Sequence, residues 1–321
     1  MCKSISILGA GPAGASAAIA ALQAGASVYL VEKSKLPRHK VCGEFFSPEI
    51  VPELERSGAW EPFLAARPAQ IRRMKLHFGR REKSSRLPEP AWGLSRFAFD
   101  DLLVKRAQQA GATMLREATG AETVITCGRA SPGVRRGRRL FGFKTHFEGP
   151  ADDAVELFFF KGCYVGVNAI EDGKTNVCGL GPEDFLRRFD FEFDEIVHQS
   201  PALSDRLRSL SRSIKWLTTG PLEYGQAFHA EGVYRAGDAL SFVDPFTGSG
   251  LSAAVKTGTL AGNAAARGDP PSIYLAQCKA ALKKPFEISE IFRKAVNNGW
   301  AEFLAGLVPG RVLFALTRPG K

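Results

Sequence analysis

Paired cysteine spacing is absent from this chain. Its six cysteines, Cys2, Cys42, Cys127, Cys163, Cys178 and Cys278, stand apart, and no two have the spacing of a zinc site or a redox pair. A cysteine metal centre and a disulfide framework are therefore excluded, and no metal is expected. Scattered single thiols suit a reducing, cytoplasmic setting. Internal repeats and low-complexity tracts are missing too. His146, His198 and His229 have no partner pattern around them and read as structural. The basic run Arg135 to Arg139 lacks interleaved aromatics, which reads as exposed surface and argues against a nucleic-acid partner. Charge is missing altogether between Lys3 and Glu32. A signal peptide or membrane span would show such a gap, but Gly9, Gly11, Pro12, Gly14 and Gly25 break the run into a short strand and a small-residue helix. A soluble protein is expected.

What remains is a chain of 321 residues, 45% hydrophobic and 24% charged, with a net charge of +10. This is enough for a sizeable core and excludes a disordered or fibrous chain. The positive balance favours an acidic partner: nucleic acid, anionic membrane or a phosphate-bearing ligand.

The opening residues supply the sharpest pattern. Ile5 to Leu8 reads as a strand, Gly9 to Gly14 as a turn, Ala15 to Gln23 as a helix and Ser27 to Val31 as a second strand, with Glu32 directly after. In Gly9-x-Gly11-x-x-Gly14, Gly9 permits the turn, Gly11 lets backbone approach a pyrophosphate and Gly14 lets helix meet strand. The helix start, with Pro12 and Ala13, offers free N–H groups and a positive dipole to phosphate. Glu32 is placed to bind a ribose diol, and its charge argues against a 2′-phosphate. The motif thus predicts FAD or NAD.

Further along, Lys33 to Ser47 reads as a basic loop, Pro48 to Gly58 as a helix, Gln70 to Phe78 as a strand and Arg80 to Pro90 as a polar loop. Leu94 to Asp100 leads into a helix ending near Gly111. Ala112 to Arg116 and Glu122 to Thr126 read as strands. Phe141 to Phe147, Val155 to Phe160, Cys163 to Ala169 and Thr175 to Gly179 form an expected antiparallel sheet, with Asp172-Gly173 as its clearest hairpin turn. Gly232 to Ala236 is a strand, Ser249 to Ala266 a long small-residue helix, and Tyr274 to Arg318 mostly helical.

A second glycine motif follows the late strand: Gly237-Asp238, then Pro245 to Gly250 before the helix. Here the sequence resembles the flavoprotein monooxygenases of the hydroxybenzoate-hydroxylase type, and more closely their geranylgeranyl-reductase branch. The resemblance implies that Asp238 meets the ribityl chain of FAD. It also implies that Gly248, Ser249 and Gly250 open a helix facing the flavin pyrimidine edge. A helix dipole there would stabilise reduced flavin. Pro37 to Glu44 resembles a further segment of that branch. It implies that Arg38, close to Lys33 in the loop after the ribose acid, lies near the adenosine and pyrophosphate, and that Cys42, Gly43 and Glu44 lie near the isoalloxazine. Arg96, after Leu94-Ser95, resembles an arginine that contacts the cofactor. Gly162 to Gly179 resembles the sheet that roofs the substrate pocket.

The chain departs from that family twice. Where an Asp-Gly pair is expected it reads Val124 to Arg129, with Gly128-Arg129 in its place. Only Ala112 to Glu122 stands where several crossover strands usually lie. The fold expected is α/β: a Rossmann-like FAD-binding domain with a discontinuous parallel sheet, an antiparallel substrate sheet and C-terminal helices. Residues 1–69, 91–134 and 225–268 are assigned to the FAD part, 70–90 and 135–224 to the substrate part and 269–321 to the helices. The activity implied is that of an FAD-dependent oxidoreductase. NAD(P)H would reduce the flavin, which would then reduce a C=C bond or hydroxylate a small apolar, aromatic or polyketide-like substrate. Its catalytic residues and oligomeric state are open. A flavin-binding partner or sensor without turnover is the alternative, supported by the shortened crossover and the missing aspartate. Membrane contact through Trp300 to Leu316 is the weaker reading against a buried packing helix.

Overall fold

A computed structural model describes residues 3–79, 81–128, 139–222, 225–226, 232–242 and 248–283. The opening unit forms as its spacing predicts: β1 (Ser4–Leu8), α1 (Pro12–Gln23) and β2 (Ser27–Val31), the two strands pairing in parallel. Next come β3 (Phe45–Phe46), α2 (Val51–Ser57), α3 (Trp60–Ala65), β4 (Ala69–Phe78), β5 (Arg81–Gly93), α4 (Arg96–Gln109), β6 (Thr113–Leu115) and β7 (Val124–Ile125). The middle third gives β8 (Leu140–Glu148), β9 (Ala154–Phe160), β10 (Cys163–Ala169), β11 (Lys174–Pro182), α5 (Glu183–Leu186), α6 (Phe193–Val197) and α7 (Pro201–Leu207). After β12 (Ser211–Arg212), β13 (Leu217–Leu222), β14 (Gly225–Gln226), β15 (Tyr234–Arg235) and β16 (Ser241–Phe242), α8 (Gly250–Arg267) returns to the first unit. Residues 271–283 are helical; Trp300 to Leu316 and the rest of the expected C-terminal helices lie outside the described residues.

The first sheet is parallel, in the order β15-β7-β1-β2-β6. Ile5, Ile7, Val28 and Leu30 point to one face and join the core under α1, α4 and α8. The opposite face carries Ser4, Ser6, Ser27, Tyr29 and Thr113. No regular element lies between β6 and β7. Residues of that short connection touch this face through Thr119 Oγ1, which donates to Ser6 Oγ at 3.1 Å. The serines and Thr113 suit a face turned to water, although Tyr29 is left 41% exposed on it.

The second sheet runs β12-β8-β11-β10-β9-β4-β5-β3, with β13 also on β8. It is antiparallel except for the parallel pair β4 and β9. Its core on one face joins Phe143, Phe158, Val165 and Val177 to Phe185, Ile196 and Leu203 of α5, α6 and α7. The expected loop over Arg80–Pro90 is instead β5. This strand is bonded to β4, while among the described residues its other edge pairs only at Phe45 and Phe46. Arg81, Glu82, Ser84 and Arg86 face water, and an edge strand tolerates Pro88 and Pro90 because few of its N–H groups need partners. Polarity that signals a loop was here the protection of a sheet edge.

Candidate functional site

The glycine turn closes as tightly as its sequence requires. Gly9 has φ +101°, and a Cβ at Gly14 would fall 1.7 Å from the Gly9 carbonyl oxygen. Thr126 Oγ1 lies 3.0 and 2.8 Å from the carbonyls of Leu8 and Gly9 and pins the turn to the strand end. Gly11 caps α1 with Pro12 next, and no side chain caps the helix. Its first N–H groups are left to a ligand.

Two cations stand beside them. A Cβ at Gly11 would meet only ordinary contacts, Arg96 Nη2 at 3.8 Å and Lys40 Nζ at 4.0 Å. Both are held by Asp100: Arg96 donates to it from Nε at 2.6 Å and Nη2 at 2.9 Å, and Lys40 from Nζ at 2.7 Å. Burial works against ionisation of Asp100, yet Arg96 and then Lys40 outweigh it and hold the carboxyl below the usual carboxylate range. Burial likewise opposes the charge on Arg96, and Asp100 overrides it, so the guanidinium stays protonated. An open backbone turn, an uncapped helix dipole and two fixed cations suit a diphosphate.

Glu32 lies at the end of β2. Its carboxylate accepts from Ala10 N at 3.3 Å and Ser34 N at 2.9 Å, which fixes it beside the glycine turn with lone pairs to spare. Lys33 and Arg38 are exposed and make no ion pair among the described residues. The structure does not bring these two into the cluster around Gly11. Lys40, two residues beyond Arg38, occupies the place at the turn.

The second motif meets the first. Gly237 has φ +61°, and a Cβ on it would lie 2.9 Å from Ala13 Cβ. Its N–H donates to Thr257 Oγ1 of α8 at 3.0 Å, and Asp238 is exposed next to it. Helix α8 lies against α1 so closely that a Cβ at Gly258 or Gly262 would fall 2.1 Å from the carbonyl of Ala13 or Ala17. Gly248 has φ +65°, with Phe45 Cδ1 2.7 Å from its would-be Cβ. Ser249 and Gly250 follow without a side-chain cap, so the start of α8 sits beside the β3 residues. Pro245 to Thr247 and Arg129 lie outside the described residues; Gly128, three residues beyond β7, adopts φ +80°.

The loop between β2 and β3 is fastened to the second sheet by polar side chains. Asn176 Nδ2 donates to the carbonyls of Cys42 at 3.3 Å and Gly43 at 2.8 Å. Lys144 Nζ donates to the Lys40 carbonyl at 3.2 Å and to the Glu44 carboxylate. The other Glu44 oxygen meets His146 Nε2 at 2.7 Å, and Arg96 N donates to the carboxylate at 2.6 Å. Lys144 and Glu44 are completely buried. Burial disfavours the Glu44 anion, but the His146 hydrogen bond and Lys144 charge prevail and lower its pKa. His146 is therefore not without a partner, as its sequence context suggested; the partner is a distant loop acid. Arg139, read as exposed surface, instead makes a paired contact with Glu183 at 2.7 and 2.6 Å. Arg135 to Arg138 and His229 lie outside the described residues. Burial raises the Cys42 thiol, against the lowering charge of Arg96, and keeps it protonated. Among the described residues no cluster suits a metal ion.

The sequence reading missed Lys144, Asn176 and Thr126 as supports, and weighed cofactor contact and a solvated loop evenly for Lys40. One local signal was available: Asp100 follows Arg96 by four residues, the spacing of an ion pair on a helix face.

Residues 2–139 match the family model described as FAD binding domain. Digeranylgeranylglycerophospholipid reductase 2 of Methanopyrus kandleri is 28% identical over 309 residues, covering 81% of this chain and 76% of that protein. Among solved structures, a flavin-dependent brominase variant superposes with TM-score 0.80 at 19% identity, covering 98% of this chain and 93% of that one. A geranylgeranyl bacteriochlorophyll reductase-like protein of Thermoplasma acidophilum gives TM-score 0.68 at 17% identity, over 99% and 91% of the two chains. The fold and site define an FAD-binding flavoenzyme. Residues 2–139 are similar to an FAD binding domain, and the chain over most of its length is similar to a reductase.

Proposed function

We propose that the protein is an FAD-dependent reductase that saturates a carbon–carbon double bond in an apolar, isoprenoid-like substrate, with NAD(P)H as the source of electrons. The observation that supports the cofactor half is the closeness of Gly237 to Ala13, which brings the two glycine motifs together. FAD supplies hydride chemistry when bound; the chain supplies placement. In this reading Gly11, Arg96 and Lys40 hold the diphosphate, Glu32 the ribose and Asp238 the ribityl chain, while the start of α8 faces the pyrimidine edge.

Reduction of an alkene needs a proton as well as a hydride. Cys42 lies in the loop assigned to the flavin ring; burial keeps its thiol protonated, and the charge of Arg96 favours the thiolate that giving up the proton would leave. We assign it as proton donor to the substrate carbon. The likeness to a digeranylgeranylglycerophospholipid reductase over 81% of this chain supports reduction over hydroxylation. Anaerobic turnover of a prenyl alkene by dithionite-reduced protein tests the reading. Cys42→Ser should keep the yellow holo-protein and lose turnover by about a hundredfold or more, the usual worth of a positioned acid. Substrate-stimulated oxygen uptake without alkene reduction would replace it by hydroxylation. A stable holo-protein with neither activity would favour a flavin-binding partner or sensor, a reading that the short β6 to β7 connection favours.

A further inference from the structure

Most of the described glycines are demanded by the fold, through a left-handed φ or through a neighbour that a Cβ would strike. Four are not. Gly11, Gly43, Gly166 and Gly250 have no left-handed φ, and a Cβ on any of them would meet no atom nearer than 3.4 Å. Three of the four lie along the candidate cofactor path: at the diphosphate turn, in the loop beside the ring and at the start of α8. Gly166 is the exception. It lies in the middle of β10, between β9 and β11, where glycine weakens a strand and packing does not require it.

Its surroundings say what the missing side chain leaves room for. Gly166 pairs with Leu157 on one side and Cys178 on the other. Its would-be Cβ lies 3.4 Å from Leu157 Cδ2 and 3.7 Å from the Cys178 carbonyl. On the Cys178 side the same sheet face bears Asn176 and Lys144, which hold the loop of Cys42 and Gly43. On the Leu157 side it bears Val155 and Phe159, in an apolar cluster that Phe45 and Tyr164 flank. Tyr164, Gly166 and Cys178 are only half-buried although they lie on interior strands, so the face is open at this point.

We infer that Gly166 is a specificity-determining position, where the absent side chain leaves a channel for the hydrocarbon chain of the substrate to pass from the Cys42 loop onto the Leu157 and Phe159 surface. The inference rests on the proposed cofactor placement. A side chain at 166 blocks the channel in proportion to its size and leaves the cofactor contacts alone.

The test uses the FAD-loaded protein titrated with geraniol, farnesol and geranylgeraniol, read by the change in flavin absorbance. Gly166→Leu should weaken farnesol and geranylgeraniol by at least about tenfold and geraniol much less, the discrimination that a few buried methylenes provide. FAD affinity should stay within about twofold. Gly166→Ala, whose Cβ fits at ordinary contact distance, should fall between and guards against a folding defect. Equal effects on all three alcohols, no effect on any, or no binding to the unaltered protein would overturn the assignment. Length discrimination at residue 166 without any alkene turnover would sink the reductase reading instead and leave the channel standing.

Discussion

Asp100 decides how the anion site is built. It is completely buried and accepts from both cations that flank Gly11. Without it, Arg96 and Lys40 would be two like charges near each other, both half-buried, and neither would keep its place. Asp100→Ala should therefore cost about 3–5 kcal/mol of stability, the usual penalty for stranding a buried charge. FAD affinity should fall as well, because the two cations lose their orientation. Urea unfolding and FAD titration check the two effects. Asp100→Asn separates them: it keeps shape and some hydrogen bonding but adds net positive charge at the turn. Unchanged stability in both variants would mean that the three side chains do not act as a unit.

At the scale of elements, the join between α1 and α8 carries the argument. Ala13 and Ala17 on α1 face Gly258 and Gly262 on α8 at backbone contact distance. Such closeness is possible only where the residues are small, and it sets the start of α1 against the middle of α8. Gly258→Ala places a methyl group 2.1 Å from the Ala13 carbonyl oxygen, so the helices must part. The expected cost is about 1–3 kcal/mol, with a weakened flavin site because the start of α8 moves. Thermal unfolding and holo-protein yield measure it; an unaltered melting temperature would contradict the packing. The same elements show what the sequence could disclose. The first strand, turn, helix and strand were legible because glycine positions and a pause in charge are local signals. Helix α8 was legible from its run of small residues. Strand β5 was not, because arginine, serine and proline mark a loop and a guarded sheet edge equally well. The buried cluster of Glu44, Lys144, His146 and Asn176 was not legible either: Lys144 lies a hundred positions from its acid. Nothing local in a strand announces which distant loop will neutralise its lysine. Tertiary pairing, absent from any local pattern, decided those residues.

At the scale of the whole molecule, the two sheets are coupled through ionised groups rather than through apolar contact alone. Glu44 ties the Cys42 loop to β8 through Lys144 and His146 and to α4 through Arg96 N. Glu171, in the turn before β11, accepts from the N–H of Ser95 at 2.7 Å and from its hydroxyl at the start of α4. The joint is therefore sensitive to pH. The folded pKa values of Glu44 and Asp100 are depressed, so their contribution is complete above the ordinary carboxylate values of about 4. It is lost as pH falls through the lower folded values, because the unfolded chain then binds more protons than the native one. Acid should loosen the joint first, since the apolar cores on either side do not titrate. Flavin release, followed by its fluorescence, should precede the loss of helix signal in far-ultraviolet circular dichroism as pH drops below about 4. Glu44→Gln removes one titrating link: it should release flavin more readily at neutral pH and show a flatter dependence in acid. Coincident transitions in both probes, unaltered by that substitution, would show that the sheets come apart only when the entire chain unfolds and that Glu44 does not govern the joint.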